Sequence, residues 1–228
     1  MNINIFPQNI NEELAEETGW HIGDGSMNYY KKDKKIMGFY QLRGHIEDDK
    51  PHYINRIKPI FKNLYGIDIS LREMPSTRVF GFQIWSNELV KFKQELGLLL
   101  GPKTKIVIPP QFLSNKELKI AVIRGIFDTD GCVYLERKNH KLYPRMQIVT
   151  ISLPLAEQLK YEFINLGLRA TIHKNGIGIG NKKDSYATTI RGNEMFNKFI
   201  SIIKPKNPKH IAKYNHYKQS FKHQGHSS

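Results

Sequence analysis

The sequence predicts an α+β fold made of two related halves, each with the element order αββαββα. The first observation is a nine-residue pattern that occurs twice, at 17–25 and at 123–131, and ends an apolar helical run in Asp-Gly both times. The second is a spacing of 106 residues (130 − 24 and 193 − 87), which separates the aspartates of the two patterns and also separates Asn87 from Asn193. Because self-similarity at a fixed spacing indicates repeated structural units, we expect a pseudo-dimer within one polypeptide.

Between these points the spacing changes and then recovers. It falls to 103 residues (152 − 49) where Asp49 corresponds to Ser152, and to 101 residues (167 − 66) where Gly66 corresponds to Gly167. Such drift indicates short insertions and deletions between two copies of one unit. The chain is expected to divide into a first half at 1–100, a linker at 101–113, a second half at 114–207 and a basic tail at 208–228.

Each half is expected to begin with its motif helix. Asn11 followed by two glutamates is a favourable helix start, and Ser114 with Glu117 forms a capping box that opens the second motif helix. Beyond each Asp-Gly, runs rich in aromatic and β-branched residues predict a first strand pair. These strands are expected at 26–32 and 36–43 in the first half and at 132–137 and 143–151 in the second.

A second helix is expected to follow the strand pair in each half. Asp49 and Ser152 are the predicted N-caps, and each is followed within two residues by a proline in the first helical turn, where a missing N–H costs little. A further strand pair and a closing helix complete each unit. Their expected ranges are 67–73, 78–85 and 86–96 in the first half, and 169–174, 185–191 and 193–204 in the second.

The two motif helices carry small residues four positions apart, namely Gly19 with Gly23 and Gly125 with Thr129. Small residues at this spacing allow two helix backbones to approach closely. If the helices pack with their C-terminal ends together, Asp24 and Asp130 lie side by side. Because helix C-termini favour cations through the dipole and the free carbonyl groups, this arrangement predicts a site for a divalent metal.

Two other polar residues of the motifs are expected to have structural roles. Asp128 is expected to cap or pair within the protein rather than act as a third acid, and His21 is expected to pack in the helix interface rather than act as a general base. Asp128-Thr129-Asp130 also matches the Asp-x-Asp motif of some phosphatases and nucleases. That alternative requires a strand leading into the motif, whereas the capping residues predict a helix.

The charge balance favours a polyanionic partner. With 35 Lys+Arg against 21 Asp+Glu, the formal net charge is +14 over 228 residues. Nucleic acid is the first expectation for such an excess, although a basic surface without a specific partner gives the same composition.

A membrane protein or a secreted protein is not expected. Every apolar run is shorter than the roughly 18 residues that cross a bilayer, and the start of the chain lacks the features of a signal peptide. The single cysteine, Cys132, excludes an internal disulfide and a multi-cysteine zinc site. We expect an intracellular protein, in the cytoplasm, the nucleoid or an organelle.

The chain resembles a LAGLIDADG homing endonuclease of the single-chain, two-motif type. Residues 123–131, Ile-Arg-Gly-Ile-Phe-Asp-Thr-Asp-Gly, are close to the family's second motif, and residues 18–26 are a looser first motif. The resemblance covers nearly the whole chain, including Gly-Pro-Lys and Ile-Pro-Pro in the linker and the closing Asn-Pro-Lys-His. One Asp-Gly after a helix is weak evidence, whereas two copies followed by the same succession of elements are strong evidence.

The resemblance implies that Asp24 and Asp130 bind the divalent metals. The carbonyl oxygens of Gly23 and Thr129 are further candidate ligands. The expected ion is Mg²⁺, and Mn²⁺ or Ca²⁺ is expected to substitute for binding. The metals would activate a water for attack on phosphorus.

The resemblance also implies that the antiparallel sheets form a saddle that binds double-stranded DNA. Alternate residues of the strands are expected to face the groove. The candidates are Asn28, Tyr30, Lys32, Gln41 and Arg43 in the first half, and Tyr134, Glu136, Lys138, Arg145 and Gln147 in the second. Family members usually place a basic or amide side chain beside the scissile phosphates, and the candidates for this catalytic role are Arg43 and either Lys138 or Arg145.

The sequence therefore predicts a Mg²⁺-dependent, site-specific double-strand DNA endonuclease, expected to be a monomer with internal pseudo-twofold symmetry. The alternative is a non-cleaving nucleic-acid binder on the same fold, either an intron maturase, which would also need RNA, or a DNA-binding regulator. Acids in both motifs favour the nuclease, because a binder has no use for two repelling carboxylates. The ends lack splicing residues, so a free-standing or intron-encoded enzyme is expected rather than an intein.

Overall fold

The chain forms two successive series of elements with the same order. The computed structural model describes residues 6–32, 35–138, 141–178 and 183–224. The first series consists of α1 (Glu12–Gly23), β1 (Gly25–Lys32), β2 (Lys35–His45), a helix with segments α2 (Lys50–His52) and α3 (Lys58–Tyr65) around a π-helical turn (Tyr53–Ile57), β3 (Arg72–Met74), β4 (Val79–Trp85) and α4 (Asn87–Glu95). The second consists of α5 (Lys116–Asp130), β5 (Gly131–Lys138), β6 (Lys141–Thr150), α6 (Leu153–Asn165), β7 (Ala170–Gly176), β8 (Ser185–Arg191) and α7 (Asn193–Ile203), and is followed by α8 (Pro208–Gln224).

Each series builds one four-stranded antiparallel sheet. The strand order is β1-β2-β4-β3 in the first sheet and β5-β6-β8-β7 in the second, so the topology repeats. In β2, buried and half-buried residues alternate from Met37 to His45, because one face packs on the helices. The predicted α+β fold with two related halves is confirmed.

Several helices begin at a side chain that accepts a hydrogen bond from a backbone N–H three residues later, which satisfies a free donor of the first turn. Asn11 and Ser152 act in this way, as predicted, through the N–H groups of Leu14 (2.9 Å) and Leu155 (3.3 Å). Pro154 lies in the first turn of α6, as expected from its fixed φ angle.

Two predicted caps are wrong. Helix α5 is capped by Asn115, which accepts from Leu118 N at 2.8 Å, because Ser114 instead donates to the carbonyl of Gln111 in the preceding 3-10 turn. Asp49 makes no capping bond to its helix. Its carboxylate turns back and accepts from His45 N at 2.8 Å.

Strand β3 is shorter than the predicted 67–73. It pairs with β4 over three residues only, from Arg72 opposite Gly81 to Met74 opposite Val79. Ile67 is nevertheless buried before the strand begins. The alternation of apolar residues in this segment therefore reflects packing on the core and not strand pairing.

Helices α1 and α5 cross at unusually short distance through their small residues. A Cβ added at Gly19 would collide with the carbonyl oxygen of Val122 and lie 2.8 Å from Gly125 Cα. A Cβ at Gly125 would collide with the carbonyl oxygen of Glu16 and lie 2.9 Å from Gly19 Cα. These two helices join the two halves, as the motif spacing predicted.

The tail forms helix α8 and packs on the second half. The rings of Tyr214 and Tyr217 both lie 5.3 Å from the ring of Phe196, edge-on, and Tyr217 is buried. This apolar anchoring explains why a basic tail forms a helix here. Across the described ranges, helices long and apolar enough to span a bilayer are absent.

Candidate active site

Asp24 and Asp130 lie at the C-terminal ends of the two crossing helices. Asp24 is the C-cap of α1, and Asp130 is the last residue of α5. A methyl group built on Gly23 would come within 3.4 Å of the carboxyl carbon of Asp130, which shows how closely the two helix ends meet. The structure therefore brings together the two acids that the sequence singled out.

The electrostatics of this pair are unfavourable for two free carboxylates. Burial raises the pKa of Asp24 well above its usual range, and the neighbouring Asp130 and Asp49 raise it further. Burial likewise raises the pKa of Asp130, against the opposing effect of Lys103 and Lys209. The Oδ2 atom of Asp24 is buried and lacks a hydrogen-bond partner among the described residues. Such a pair needs a cation or protons.

Two lysines supply the nearest positive charge. Lys103 Nζ, from the linker, donates to the carbonyl oxygens of Ile22 (2.9 Å) and Gly23 at the end of α1. Lys209 Nζ, from the start of α8, donates to Asp49 Oδ1 (2.7 Å) and to the carbonyl oxygen of Thr129 (3.4 Å). Each helix end therefore carries one acid and one ammonium group.

Sequence reasoning missed both lysines, although a signal was present. Lys103 follows Gly-Pro in the linker, Lys209 follows Asn-Pro after the second half, and the two lie 106 residues apart (209 − 103). This is the spacing of the two aspartates, so an extension of the repeat would have paired the lysines as well.

The predicted carbonyl ligands face the same site. The carbonyl oxygens of Gly23 and Thr129 are the atoms that accept from Lys103 and Lys209. Within the described ranges no group of three or more His, Cys, Asp or Glu side chains could hold a metal. Two carboxylates with carbonyls suit Mg²⁺, which usually keeps several waters and binds through one or two carboxylates and substrate phosphates. The residues present thus fit such an ion.

Asp128 and His21 have structural environments. The Asp128 carboxylate accepts from the backbone N–H groups of Lys206 (2.9 Å) and Asn207 (3.1 Å), and burial raises its pKa to about 7. His21 is buried and stacks on Tyr40 with 5.5 Å between ring centroids. The motif containing Asp128 ends a helix and not a strand, which is against the Asp-x-Asp alternative.

The first sheet presents its predicted DNA-contacting residues on the face opposite the core. Asn28 lies opposite Phe39 in β2, and Gln41 lies opposite Gln83 in β4, all on this open face. Tyr30 is about half exposed there, and Arg43 Nη2 donates to Gln83 Oε1 at 3.3 Å. Lys32 continues the strand, but its side chain lies outside the described residues.

The second sheet has a corresponding open face. Tyr134 lies opposite Arg145 on this face. Gln147 lies opposite Thr189, and both of these residues are buried. Arg145 forms an ion pair with Glu136 on this face. The side chain of Lys138 lies outside the described residues. The placement of Arg43 and Lys138 beside a scissile phosphate remains a prediction.

Comparison with known proteins assigns the second half to a family. Residues 117–204 match the model of a LAGLIDADG-like domain. The replication factor C small subunit of Methanocaldococcus jannaschii is 27% identical over 194 residues, and the ribonucleoside-diphosphate reductase NrdEB subunit alpha of Bacillus subtilis is 25% identical over 217 residues. Each alignment covers 85% of this chain but only 9% and 19% of those relatives, so the chain spans a small part of the proteins that it matches.

Solved structures share the whole fold. I-DmoI in complex with DNA and Ca superimposes with a TM-score of 0.63 and 20% identity, over 90% of this chain and 97% of that one. The LAGLIDADG meganuclease I-AabMI, bound to uncleaved DNA, gives a TM-score of 0.60 and 11% identity over 96% and 94% of the two chains. Residues 117–204 therefore form a LAGLIDADG-like domain, and the chain as a whole has the fold of the single-chain LAGLIDADG homing endonucleases.

Proposed function

We propose that the protein is a site-specific endonuclease that hydrolyses both strands of double-stranded DNA with Mg²⁺ bound between Asp24 and Asp130. The observation that carries the proposal is the close approach of two half-buried carboxylates from separate halves, with the buried Oδ2 of Asp24 unpaired within the described residues. A protein that only binds DNA gains nothing from two carboxylates that repel each other, whereas a metal-dependent nuclease requires both carboxylates to bind its ion. We also propose that it acts as a monomer, with one half for each half-site.

The relatives of known structure support this proposal. I-DmoI is described in complexes with DNA and Ca and with DNA and Mn, and I-GzeII in complex with a DNA target. Their fold is the one found here. By extension, Mn²⁺ and Ca²⁺ are expected to bind at the same acids in this chain.

The motif residues would hold the ion. Asp24 and Asp130 would each contribute carboxylate oxygens, and the carbonyl oxygens of Gly23 and Thr129 would complete part of the shell. A bound Mg²⁺ supplies Lewis acidity at the phosphate and activates water. The packed glycines of α1 and α5 keep the two acids in a fixed relation.

The two lysines would act on the phosphate. Lys103 and Lys209 reach the ends of α1 and α5 from outside the motifs, and each can move from a carbonyl oxygen to a phosphate oxygen. An ammonium group at that point stabilises the negative charge that develops on phosphorus oxygens. We therefore propose Lys103 in the linker and Lys209 in α8 as the main catalytic cations, with Arg43 and Lys138 as secondary candidates on the sheets.

The open sheet faces would read the DNA. The partly exposed polar side chains on these faces, such as Asn28 and Gln41 in the first sheet and Tyr134 and Arg145 in the second, suit contact with base edges in the major groove. The net charge of +14 supports binding to the phosphate backbone. A homing role predicts that the target is the uninterrupted form of the gene's own insertion locus.

A cleavage-site selection tests the proposal. Randomised DNA and DNA from the uninterrupted locus would be incubated with Mg²⁺ and either the wild type, Asp24→Asn or Asp130→Asn. We expect cleavage by the wild type and at least about a thousandfold slower cleavage by either variant, since several kcal/mol of transition-state stabilisation are lost. Asp48→Asn removes an exposed carboxylate nearby and should cut normally. Binding without any cleavage by the wild type would favour a maturase or a regulator.

A further inference from the structure

The two active-site lysines differ in what holds them. The hydrogen bonds of Lys103 Nζ within the described residues go to two carbonyl oxygens, those of Ile22 and Gly23. Lys209 Nζ instead forms an ion pair with Asp49, with 2.7 Å from Nζ to Oδ1. Lysines at corresponding positions of a repeat therefore have unequal partners.

Asp49 is itself rigidly held. It is 4% exposed, its Oδ2 accepts from His45 N at 2.8 Å, and its Oδ1 accepts from the Asn207 amide at 2.7 Å. The same amide nitrogen donates to the carbonyl oxygen of Asp128 at 2.8 Å. Because both oxygens of Asp49 are held from opposite halves of the chain, the ion pair with Asp49 restrains the ammonium group of Lys209.

The first lysine lacks this arrangement because the repeat differs at each of the three positions. Asp49 corresponds to Ser152, Asn207 to Gly101 and Asp128 to Ile22. Ser152 is buried and donates to the carbonyl oxygen of Ile106 at 2.7 Å, so it does not reach a lysine through that bond. The hydrogen bonds that link Asp49, Asn207 and Lys209 therefore have no counterpart at the corresponding positions Ser152, Gly101 and Lys103, all of which the structure describes.

We propose that Asp49 is a positioning residue that restrains Lys209 and makes the protein cut its two DNA strands at unequal rates. A lysine paired with a buried carboxylate must break a charge-assisted hydrogen bond before it can contact a phosphate. The hydrogen bonds that Lys103 would break within the described residues are to carbonyl oxygens. The strand served by Lys103 is therefore cut first. This inference rests on the proposed endonuclease function.

The test measures nicking of each strand of a duplex recovered by the cleavage-site selection, with a different fluorophore on each strand. Lys103→Met and Lys209→Met identify which strand each lysine serves. Asp49→Ser introduces the residue type that the other half has at this position. We expect the wild type to cut the Lys103 strand about tenfold faster, and Asp49→Ser to bring the ratio close to one by accelerating the slower strand.

Matched controls separate positioning from stability. Asp48→Ser removes the adjacent carboxylate, which is exposed, and should leave the strand ratio unchanged. In the Lys209→Met background, Asp49→Ser should have no further effect on the ratio, because the restrained group is gone. The ratio is independent of the fraction of folded enzyme, since both strands are cut by the same molecules. Equal strand rates in the wild type, or a ratio unchanged in Asp49→Ser, would overturn the inference.

A second measurement keeps this inference distinct from the proposed function. If the wild type cuts neither strand, the endonuclease proposal fails, and reductive methylation of lysine amines still tests the restraint. We expect Lys209 to be methylated at least about five times faster in Asp49→Ser than in the wild type or Asp48→Ser, because it loses a charge-assisted bond. Equal labelling of Lys209 in all three proteins would refute the restraint.

Discussion

Asp24 lowers the stability of the metal-free protein, because burial and the Asp130 carboxylate both favour its protonated form. Its pKa in the folded state is raised above the value in the unfolded chain. The stabilising contribution of such a group is fully present below the unfolded pKa, near 3.8, and is lost as the pH rises through the folded pKa. As the pH rises through the folded pKa, Asp24 ionises beside Asp130, and a bound metal would remove the resulting repulsion.

Asp24→Asn should therefore raise the melting temperature in EDTA at pH 8. We expect an increase of about 2–4 °C for each kcal/mol of repulsion removed, and a smaller increase as the pH falls towards 4. Calorimetry against pH measures this directly. Glu47→Gln, at an exposed glutamate, is the control and should give no comparable increase. A destabilised Asp24→Asn protein at pH 8 would contradict the charge repulsion.

Lys103→Met should slow double-strand cleavage by about a hundredfold, since a donor to the transition-state charge is lost. Its affinity for the DNA target, measured with Ca²⁺ in place of Mg²⁺, should change little, because one phosphate contact among many is removed. Lys91→Met, at a lysine that is mostly exposed in α4, should cut normally. Normal cleavage by Lys103→Met would show that Lys103 has no catalytic role.

At the scale of elements, the contact between α1 and α5 depends on glycines at the crossing. The added Cβ of Gly125→Ala would meet backbone atoms, which cannot rotate away, and the helices would have to separate. Ion pairs reinforce the contact, since Glu16 of α1 accepts from Arg124 of α5 at 3.0 Å and from Arg56 at 2.8 Å. The position of both acids follows from this packing.

Gly125→Ala should lower the free energy of unfolding by at least about 2 kcal/mol, the range expected for overpacking. Urea denaturation measures this loss. Gly176→Ala is the matched control, since its Cβ would meet only the flexible Ser185 Oγ at 3.1 Å. An unchanged stability of Gly125→Ala would mean that the helices separate without cost.

The order of elements could be predicted from the sequence, because apolar periodicity and capping residues act locally. The N-caps at Asn11 and Ser152 are examples. Asp49 was also expected to cap its helix, but Asn207 and Lys209, more than 150 positions later, compete for its carboxylate. Sequence proximity does not reveal such partners. Strand β3 is shorter than predicted for a similar reason, because tertiary contacts and not the local apolar pattern determine which of its residues form strand hydrogen bonds.

At the scale of the molecule, the positive charge should dominate DNA affinity. If the two sheets contact about ten phosphates, the logarithm of the association constant should fall with the logarithm of salt concentration with a slope of about −9. Titrations from 50 to 300 mM KCl with Ca²⁺ measure it. Arg43→Met should reduce the magnitude of the slope by about 1. A slope near zero would contradict binding through the sheets.

The duplication made the paired acids predictable, because the spacing of 106 residues relates Asp24 to Asp130 across the whole chain. The same spacing relates Lys103 to Lys209, but their role depends on contacts that only the folded chain shows. Differences between the copies, such as Asp49 against Ser152, carry no functional meaning until their neighbours are known. The repeat therefore predicted which positions of the two halves correspond, and the structure showed at which of these positions the halves differ in their contacts.

The most direct test of the shared metal site is anomalous diffraction from crystals of the protein with its selected duplex and Mn²⁺. Carboxylate oxygens from both halves should contact the ion, since Mn²⁺ prefers such ligands. We predict an anomalous peak bonded to Asp24 and to Asp130, which disappears in crystals of Asp130→Asn. A peak bonded elsewhere, with the two carboxylates free of metal, would contradict the account.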